Sequence, residues 1–186
     1  SLDRRQRQMC IRDSSKAGCE NFFVANLAEA LLLRQHLDAI GQNKSNIMTL
    51  HGCYSGQLNE HLKFRIIPVL NDLEQLSHWQ SFSQQQSEPL PAMLHFDTGM
   101  NRLGFDADQT RWLKKNKGAL SGLHCQYIMS HLVSAEIADD SKNVSQLAAF
   151  HELRDWFPGV PASLANSAGS MRSPKYHFQM TRPGIA

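Results

Sequence analysis

Short apolar runs and longer amphipathic stretches alternate along most of the chain. The runs are rich in β-branched and aromatic residues, which is the pattern of buried strands. They occupy residues 21–26, 46–52, 64–70, 92–98, 124–132 and 162–167, and a seventh run is indicated at 177–185. Leucine, alanine and tryptophan recur at helical spacing in the stretches 27–40, 71–82 and 141–157. Strands that alternate with helices in this way predict a parallel sheet covered by helices.

Helix start and stop signals support this assignment. Asn71 and Asp72 are good N-cap residues for the second predicted helix. Ser141 opens the third helix, and Pro158 follows its end.

Two α/β architectures fit repeated strand–helix units, a doubly wound open sheet and a (β/α)₈ barrel. No G-x-G-x-x-G motif follows a strand, which removes the commonest sign of a dinucleotide-binding sheet. Polar motifs (HG, DTG, SHL and ANSAG) close successive strands, and a barrel collects all of its strand ends on one face. A complete barrel usually takes about 250 residues. The sequence therefore predicts an α/β fold, a partial (β/α)₈ TIM-type barrel that is short by one strand unit.

The two ends of the chain differ from its middle. The stretch SLDRRQRQMCIRDS is rich in arginine and shows no strand alternation, no amphipathic period and no signal-peptide core. We expect residues 1–14 to be a non-native or disordered leader and residues 15–186 to be the barrel domain. The chain stops on the apolar run TRPGIA without a cap, which suggests a truncated end.

Composition and charge exclude several classes of protein. The chain has 186 residues, 41% of them hydrophobic, which is enough for one domain with a sizeable core. A net charge of +2 gives no electrostatic footprint for nucleic acid or an acidic membrane. No apolar run approaches the roughly 20 residues that span a bilayer. The four cysteines are scattered without a C-x-x-C pair, so reduced cytosolic thiols are expected.

The stretch HFDTGMNRLGF, residues 95–105, places a charged side chain just after a predicted strand. Arg102 lies in a turn whose glycines, Gly99 and Gly104, allow the backbone to approach a ligand closely. Such strand ends carry ligand-contacting groups in α/β proteins. From chemistry alone, a solvated loop arginine and a ligand contact remain equally open.

Other polar residues follow later strands. His131 is either a hydrogen-bonded core residue or a site residue at the end of its strand. Asn166 and Ser167 can cap a helix, whose free N–H groups would bind an anion. Arg182 and Gly184 add a cation and a glycine near the eighth-strand position, where such barrels usually bind phosphate. Together these residues suggest a phosphate-bearing cofactor or substrate.

No metal site or hydrolase motif is indicated. His51 with Cys53, and His124 with Cys125, have no third ligand at metal spacing. Neither a nucleophile elbow nor a Cys–His signature occurs in the sequence.

Four segments resemble bacterial alanine racemase, a fold-type III pyridoxal-phosphate enzyme. They are AGCENFFVANLAEALLLR, HFDTGMNRLGF, MSHLVSAE and ANSAGSMRSPKYHFQMTRPGIA. The resemblance covers essentially Ser15 to Ala186. The pairing of NSAG with RPGIA distinguishes it from pyridoxal-phosphate homeostasis proteins, which share the barrel and a similar arginine turn.

The resemblance implies pyridoxal 5′-phosphate (PLP) as cofactor and assigns roles to particular residues. Arg102 would hydrogen-bond the phenolic oxygen of the cofactor. Arg182, supported by His131, would face the pyridine nitrogen without readily giving up a proton. The phosphate would be held by Asn166, Ser167, Gly184 and Ile185.

The resemblance is incomplete at both catalytic bases. The family's first-strand K-A-x-A-Y-G segment, whose lysine forms the Schiff base, is absent, and Lys16 precedes the strand at residues 21–26 instead. The second base in the family is a tyrosine of a C-terminal β-domain, contributed by the partner subunit; we expect that domain to be absent here. No catalytic residue is therefore predicted within the chain. His95 stands where many members have a lysine that orients the counterpart of Arg102.

These observations predict a fragment of a PLP-dependent alanine racemase, inactive in isolation. The intact enzyme would be a cytoplasmic homodimer that interconverts L- and D-alanine for peptidoglycan synthesis, without nucleic-acid or membrane partners. Two alternatives stay open: a non-catalytic PLP-binding homeostasis barrel, and a racemase of another amino-acid specificity.

Overall fold

The computed structural model describes residues 4–184. It divides into two compact units, one up to Val69 and one from Leu70 onward, and each is treated by itself. None of the helices in this described part of the chain has the length and hydropathy that crossing a bilayer requires.

The first unit contains a parallel sheet whose strands follow chain order. Its strands are β1 (Asn21–Val24), β2 (Asn46–Thr49) and β3 (Ile66–Leu70). Its helices are α1 (Arg4–Lys16), α2 (Leu27–Ala39) and α3 (Leu58–Lys63). Asn26 caps α2, because its side chain accepts a hydrogen bond from the N–H of Glu29 at 3.1 Å. The buried apolar cluster between helix and sheet comprises Ala30, Leu33, Leu37, Ile47 and Ile66.

Residues 4–16, which include most of the leader expected to be non-native or disordered, form helix α1. A non-native origin of this leader stays a prediction. Arginine, glutamine and methionine are good helix formers, and Ile11 packs against the apolar cluster of the first unit. The helix ends before Gly18, whose φ of 92° is a conformation that suits glycine. Because most residues of α1 are polar, this contact leaves no amphipathic period for the sequence to show.

Arg34 of α2 is a buried charge that joins three segments of the first unit. Only 3% of the residue is exposed, and burial lowers the pKa of its guanidinium. The guanidinium donates hydrogen bonds at 2.9–3.4 Å to the carbonyl oxygens of Asn43, Ser45, Phe64 and Arg65. These bonds fasten α2 to the turns that precede β2 and β3.

The second unit also contains parallel strands in chain order. They are β4 (Leu90–His95), β5 (Leu123–Met129) and β6 (Ala162–Ser163). Its helices are α4 (Leu73–Ser83), α5 (Ala107–Lys115), α6 (Ser141–Arg154) and α7 (Ser167–Arg172). All six strands predicted with full units are therefore confirmed. The seventh predicted strand is reduced, in the described residues, to one parallel bridge between Asn166 and Arg182.

Large aromatic side chains fill the core of the second unit. Trp79, Phe96, Phe105 and Phe150 are almost completely buried. The indole N–H of Trp79 donates to the carbonyl of Pro91 at 3.2 Å, which satisfies its one polar group. A rigid core of this kind holds the strand ends, where the predicted site residues lie.

Candidate functional site

The carboxyl ends of β4, β5 and β6 bring the predicted polar residues together. The register pairs His95 with Met129 and Met129 with Ser163. Because the three strands are parallel, the residues that follow these positions meet at one edge of the sheet. The predicted site therefore lies entirely within the second unit.

Arg102 lies in a turn that hydrogen bonds between Asp97 and the backbone of the turn stabilise. The carboxylate of Asp97 accepts hydrogen bonds from the N–H groups of Gly99 and Met100, both at 2.8 Å. This local pattern turns the chain directly after β4. The side chain of Arg102 is exposed, so its direction depends on how firmly the turn is held.

The turn closes at Gly104, where only glycine fits. Its φ is 107°, and a Cβ atom there would lie 2.9 Å from the backbone N of Asp97 and the O of His95. Because the backbones approach this closely, the N–H of Phe105 donates to the His95 carbonyl at 2.7 Å, and the carbonyl of Phe105 accepts the N–H of Asp97 at 3.0 Å. The chain thus returns to the sheet as the parallel bridge between Phe96 and Phe105.

Arg182 is the centre of the polar cluster. Its guanidinium donates to the hydroxyl of Ser163 and, at 2.6 Å, to the carbonyl of Ser130. A weaker contact of 3.4 Å reaches the carbonyl of Leu164. Burial lowers the pKa of Arg182 to about 10, so the side chain remains protonated at neutral pH. The sheet edge therefore carries a fixed positive charge with an oriented fork of donors.

His131 lies beside that charge and is neutral. Its Nδ1 is 3.5 Å from Nη2 of Arg182, at the outer limit of a hydrogen bond. Burial, then the charges of Arg182 and Arg102, lower the pKa of His131 to about 4. Since Nδ1 faces a donor, the neutral ring carries its proton on Nε2.

His95, at the end of β4, is a second neutral imidazole. Its Nδ1 lies 2.8 Å from Oδ1 of Asn71, to which it donates. Burial is the main cause that lowers the pKa of His95 to about 3, and the neighbouring Arg182 and then His131 contribute next. The ring is therefore held by a neutral partner in a site that disfavours its protonation.

The predicted phosphate-binding residues also come together. Asn166 caps α7 by accepting the N–H of Gly169 at 2.9 Å. The hydroxyl of Ser167 accepts the N–H of Gly184 at 2.9 Å, so the start of α7 and the segment after Arg182 are adjacent. Ile185, the remaining predicted cofactor contact, lies outside the described residues.

Several residues of this cluster were not predicted as site residues. Ser130 and Ser163 bind Arg182, and the Ser130 hydroxyl lies 2.7 Å from Oγ1 of Thr98. Polar residues at the last positions of apolar strands were the available signal for both serines.

Asn71 was interpreted as a helix cap, but Asp72 caps α4 by accepting the N–H of the third helical residue at 2.8 Å. A sequence gives no means of separating a capping asparagine from one that binds a distant histidine.

Two further predictions concern residues away from the cluster. Lys16 is exposed at the C-terminal end of α1 and precedes β1, so it lies before a strand rather than at a strand's carboxyl end. Within residues 4–184, no group of three or more histidine, cysteine or acidic side chains could hold a metal ion.

Comparison with known proteins shows what this arrangement is similar to. The family model of the alanine racemase N-terminal domain matches residues 8–186. The alanine racemase of Rickettsia typhi is 40% identical over 168 residues, which are 90% of this chain and 41% of that protein. The alanine racemase of Rickettsia bellii is 42% identical over the same length, with 90% and 40% covered.

Solved structures give the same result. The crystal structure of alanine racemase from Bartonella henselae with covalently bound pyridoxal phosphate has a TM-score of 0.88 and 34% identity, covering 96% of this chain and 51% of that one. The biosynthetic alanine racemase from Pseudomonas aeruginosa has a TM-score of 0.79 and 27% identity, with 96% and 48% covered. This likeness confirms the predicted α/β fold, a partial (β/α)₈ TIM-type barrel. The chain spans about half the length, or somewhat less, of the relatives that it matches.

Proposed function

The chain belongs to the alanine racemase family through its N-terminal domain, and we propose that it is the PLP-binding barrel of an alanine racemase. The observation that carries this proposal is the half-buried Arg182, which lies at the carboxyl ends of parallel strands with neutral His131 beside it. Its guanidinium is held at these strand ends by Ser163 and the Ser130 carbonyl, and a positive charge fixed in this way suits a ligand with acceptor groups.

The residues at the strand ends have the donor chemistry that PLP requires. A pyridine nitrogen and a phenolic oxygen both accept hydrogen bonds, and Arg182 and Arg102 can only donate them. A phosphate needs several N–H and O–H donors close together, and Asn166, Ser167 and Gly184 are adjacent. A side chain added at Gly184 would meet no atom of the described residues within 4 Å. The site therefore fits the cofactor in charge and in donor type.

Arg182 would hold the pyridine nitrogen and tune the chemistry. When bound, PLP supplies an electron-withdrawing ring that acidifies the α-proton of an amino acid. Arg182 keeps its own proton at neutral pH, since its pKa is about 10, and so would donate a hydrogen bond without transferring a proton. Ser163 and the Ser130 carbonyl hold the guanidinium in one orientation.

His131 would keep Arg182 in place, and Arg102 would supply a positive charge to the cofactor. The neutral ring of His131 buttresses Arg182 without adding a second buried charge. Arg102 would stabilise the phenolate oxygen by a charge-assisted hydrogen bond. Asn166, Ser167 and the backbone of Gly184 would hold the phosphate, and Ile185 would complete that contact through its main chain.

We further propose alanine as the substrate, a cytoplasmic homodimer as the working form, and D-alanine for peptidoglycan as the product. The comparisons support an alanine racemase over a PLP-binding homeostasis barrel, since the matched relatives are named alanine racemases. A racemase with another amino-acid preference is the second candidate, and substrate competition separates the two.

The test is racemisation by the complete gene product that contains this chain. With PLP and L-alanine we expect D-alanine to form, measured by D-amino-acid oxidase coupling, and to form faster than D-serine from L-serine. Arg182→Ala should lower kcat/KM by roughly 10²–10³-fold, the usual weight of a preorganised charged donor. Arg111→Ala, which removes an exposed arginine on α5, is the matched control and should leave the rate unchanged.

PLP binding without formation of any D-amino acid would contradict the racemase and favour the homeostasis alternative. Faster racemisation of serine than of alanine would contradict the proposed substrate only.

A further inference from the structure

We propose that Gln146 of α6 is a positioning residue that holds the turn of Arg102 against the strand end of His131. The inference rests on the proposed PLP site and names a residue that supports it from outside. The side-chain amide of Gln146 contacts three residues in two separate segments. Its Oε1 accepts the N–H of Val133 at 3.0 Å, and its Nε2 donates to the carbonyl of His131 at 2.9 Å and to Oγ1 of Thr98 at 3.3 Å.

Because Gln146 is buried, the loss of any of these hydrogen bonds is costly. Only 2% of Gln146 is exposed, so loss of one partner would leave a buried polar group unsatisfied. Val133 and His131 belong to the segment after β5, whereas Thr98 belongs to the turn after β4. One amide therefore fixes the relative placement of the two strand ends that carry His131 and Arg102.

The contact with Thr98 is supported on both sides. The hydroxyl of Thr98 also lies 2.7 Å from that of Ser130, and a Cβ atom at Gly99 would lie 3.6 Å from Cγ of Gln146. The turn thus packs against the aliphatic part of the Gln146 side chain and hydrogen-bonds to its amide group. Because Arg102 is exposed, the position of its guanidinium depends on the position of this turn.

Asn143, one helical turn earlier on α6, offers a matched control. It is also an almost fully buried amide, with 1% exposed. Its Nδ2 donates to the carbonyls of Ser134 and Ile137 at 3.1 and 3.0 Å. It therefore anchors the same loop beyond Val133 but makes no hydrogen bond to the turn of Arg102 among the described contacts.

The experiment compares Gln146→Met with Asn143→Leu in the full chain. Both substitutions keep most of the side-chain volume and remove buried hydrogen bonds, so both should lower stability against urea. PLP affinity is measured by titration, and amide hydrogen exchange is measured at residues 98–104. We expect Gln146→Met to weaken PLP binding by about tenfold, equivalent to about 1.4 kcal/mol, and to accelerate exchange in the turn. Asn143→Leu should leave both readouts close to those of the unmodified chain.

A third variant tests the direction of the hydrogen bonds. Gln146→Glu keeps an acceptor for the Val133 N–H but cannot donate to His131 or Thr98 when ionised. It should behave like Gln146→Met in both readouts, whereas a role confined to the Val133 contact would leave it like the unmodified chain.

The proposal is overturned if Gln146→Met changes neither PLP affinity nor exchange in the turn, or if Asn143→Leu changes them equally. Failure of the unmodified chain to bind PLP would count against the proposed function alone. Exchange at residues 98–104 then decides the positioning role by itself, since it needs no cofactor.

Discussion

Two arginines and two histidines at the strand ends of the second unit differ in charge because their surroundings differ. Arg182 remains a cation, with its guanidinium bound by a hydroxyl and by backbone carbonyls. His131 and His95 are neutral, because burial and the neighbouring arginines lower the pKa of each ring. Of these four residues, Arg182 and Arg102 carry the positive charge. Such an arrangement suits an anionic ligand with two separate acceptors.

The neutral His95 makes the free energy of unfolding depend on pH. The unfolded ring protonates near its usual pKa of about 6.5, whereas the folded ring does so near about 3. The unfolded chain therefore binds more protons between these values, and stability falls as pH drops through that window. From about pH 7 to about pH 5, His95 should account for a loss of roughly 2 kcal/mol. Urea unfolding at the two pH values measures it.

His95→Gln keeps an acceptor and a donor for Asn71 but cannot titrate, so the loss between the two pH values should shrink by about that amount. His124→Gln, at an exposed position of β5, is the control and should reproduce the original profile. An unchanged pH dependence in His95→Gln would show that His95 protonates normally in the folded chain.

At the scale of the element, the turn between β4 and the Phe105 bridge places Arg102. Its shape depends on Gly104, whose φ of 107° and close contacts exclude a side chain. Gly104→Ala should destabilise the fold by roughly 1–3 kcal/mol, the cost of a strained backbone position, and should weaken PLP binding because Arg102 moves with the turn. Urea unfolding and PLP titration measure the two effects.

Gly118→Ala is the matched control, since a Cβ atom at Gly118 meets nothing within 4 Å and its φ is not positive. It should change neither quantity. A Gly104→Ala variant that binds PLP like the unmodified chain would mean that Arg102 is not placed by this turn.

The sequence predicts elements well where a local pattern is tied to burial. All six strands were found because buried parallel strands are apolar and β-branched, as in IIPVL of β3. Helix α1 was missed because most of its residues are polar, and the apolar contact made by Ile11 leaves little pattern in the sequence. Helix α5 was not identified either, although its hydrophilic sequence has a good N-cap in Asp106, which accepts the Gln109 N–H at 2.8 Å. Short helices with few buried residues leave little pattern to detect.

At the scale of the whole molecule, family membership and physical pattern agree on an α/β partial barrel. The polar strand ends could be predicted because each follows an apolar run along the chain. The contacts among them could not, because they join residues far apart in sequence, as Arg182 and Ser130 show. Buried polar residues such as Gln146 also resemble solvent-facing helix positions when only the sequence is known. Their roles therefore depend on the fold that surrounds them.

PLP titration of the full chain and of its Arg182→Met variant, followed by tryptophan fluorescence, tests whether the strand ends around Arg182 hold the cofactor. We expect saturable one-to-one binding, weakened by about tenfold or more in Arg182→Met and unchanged in Arg111→Ala. Absence of saturable binding, or equal affinity in the Arg182→Met variant, would contradict the claim that these strand ends hold the cofactor.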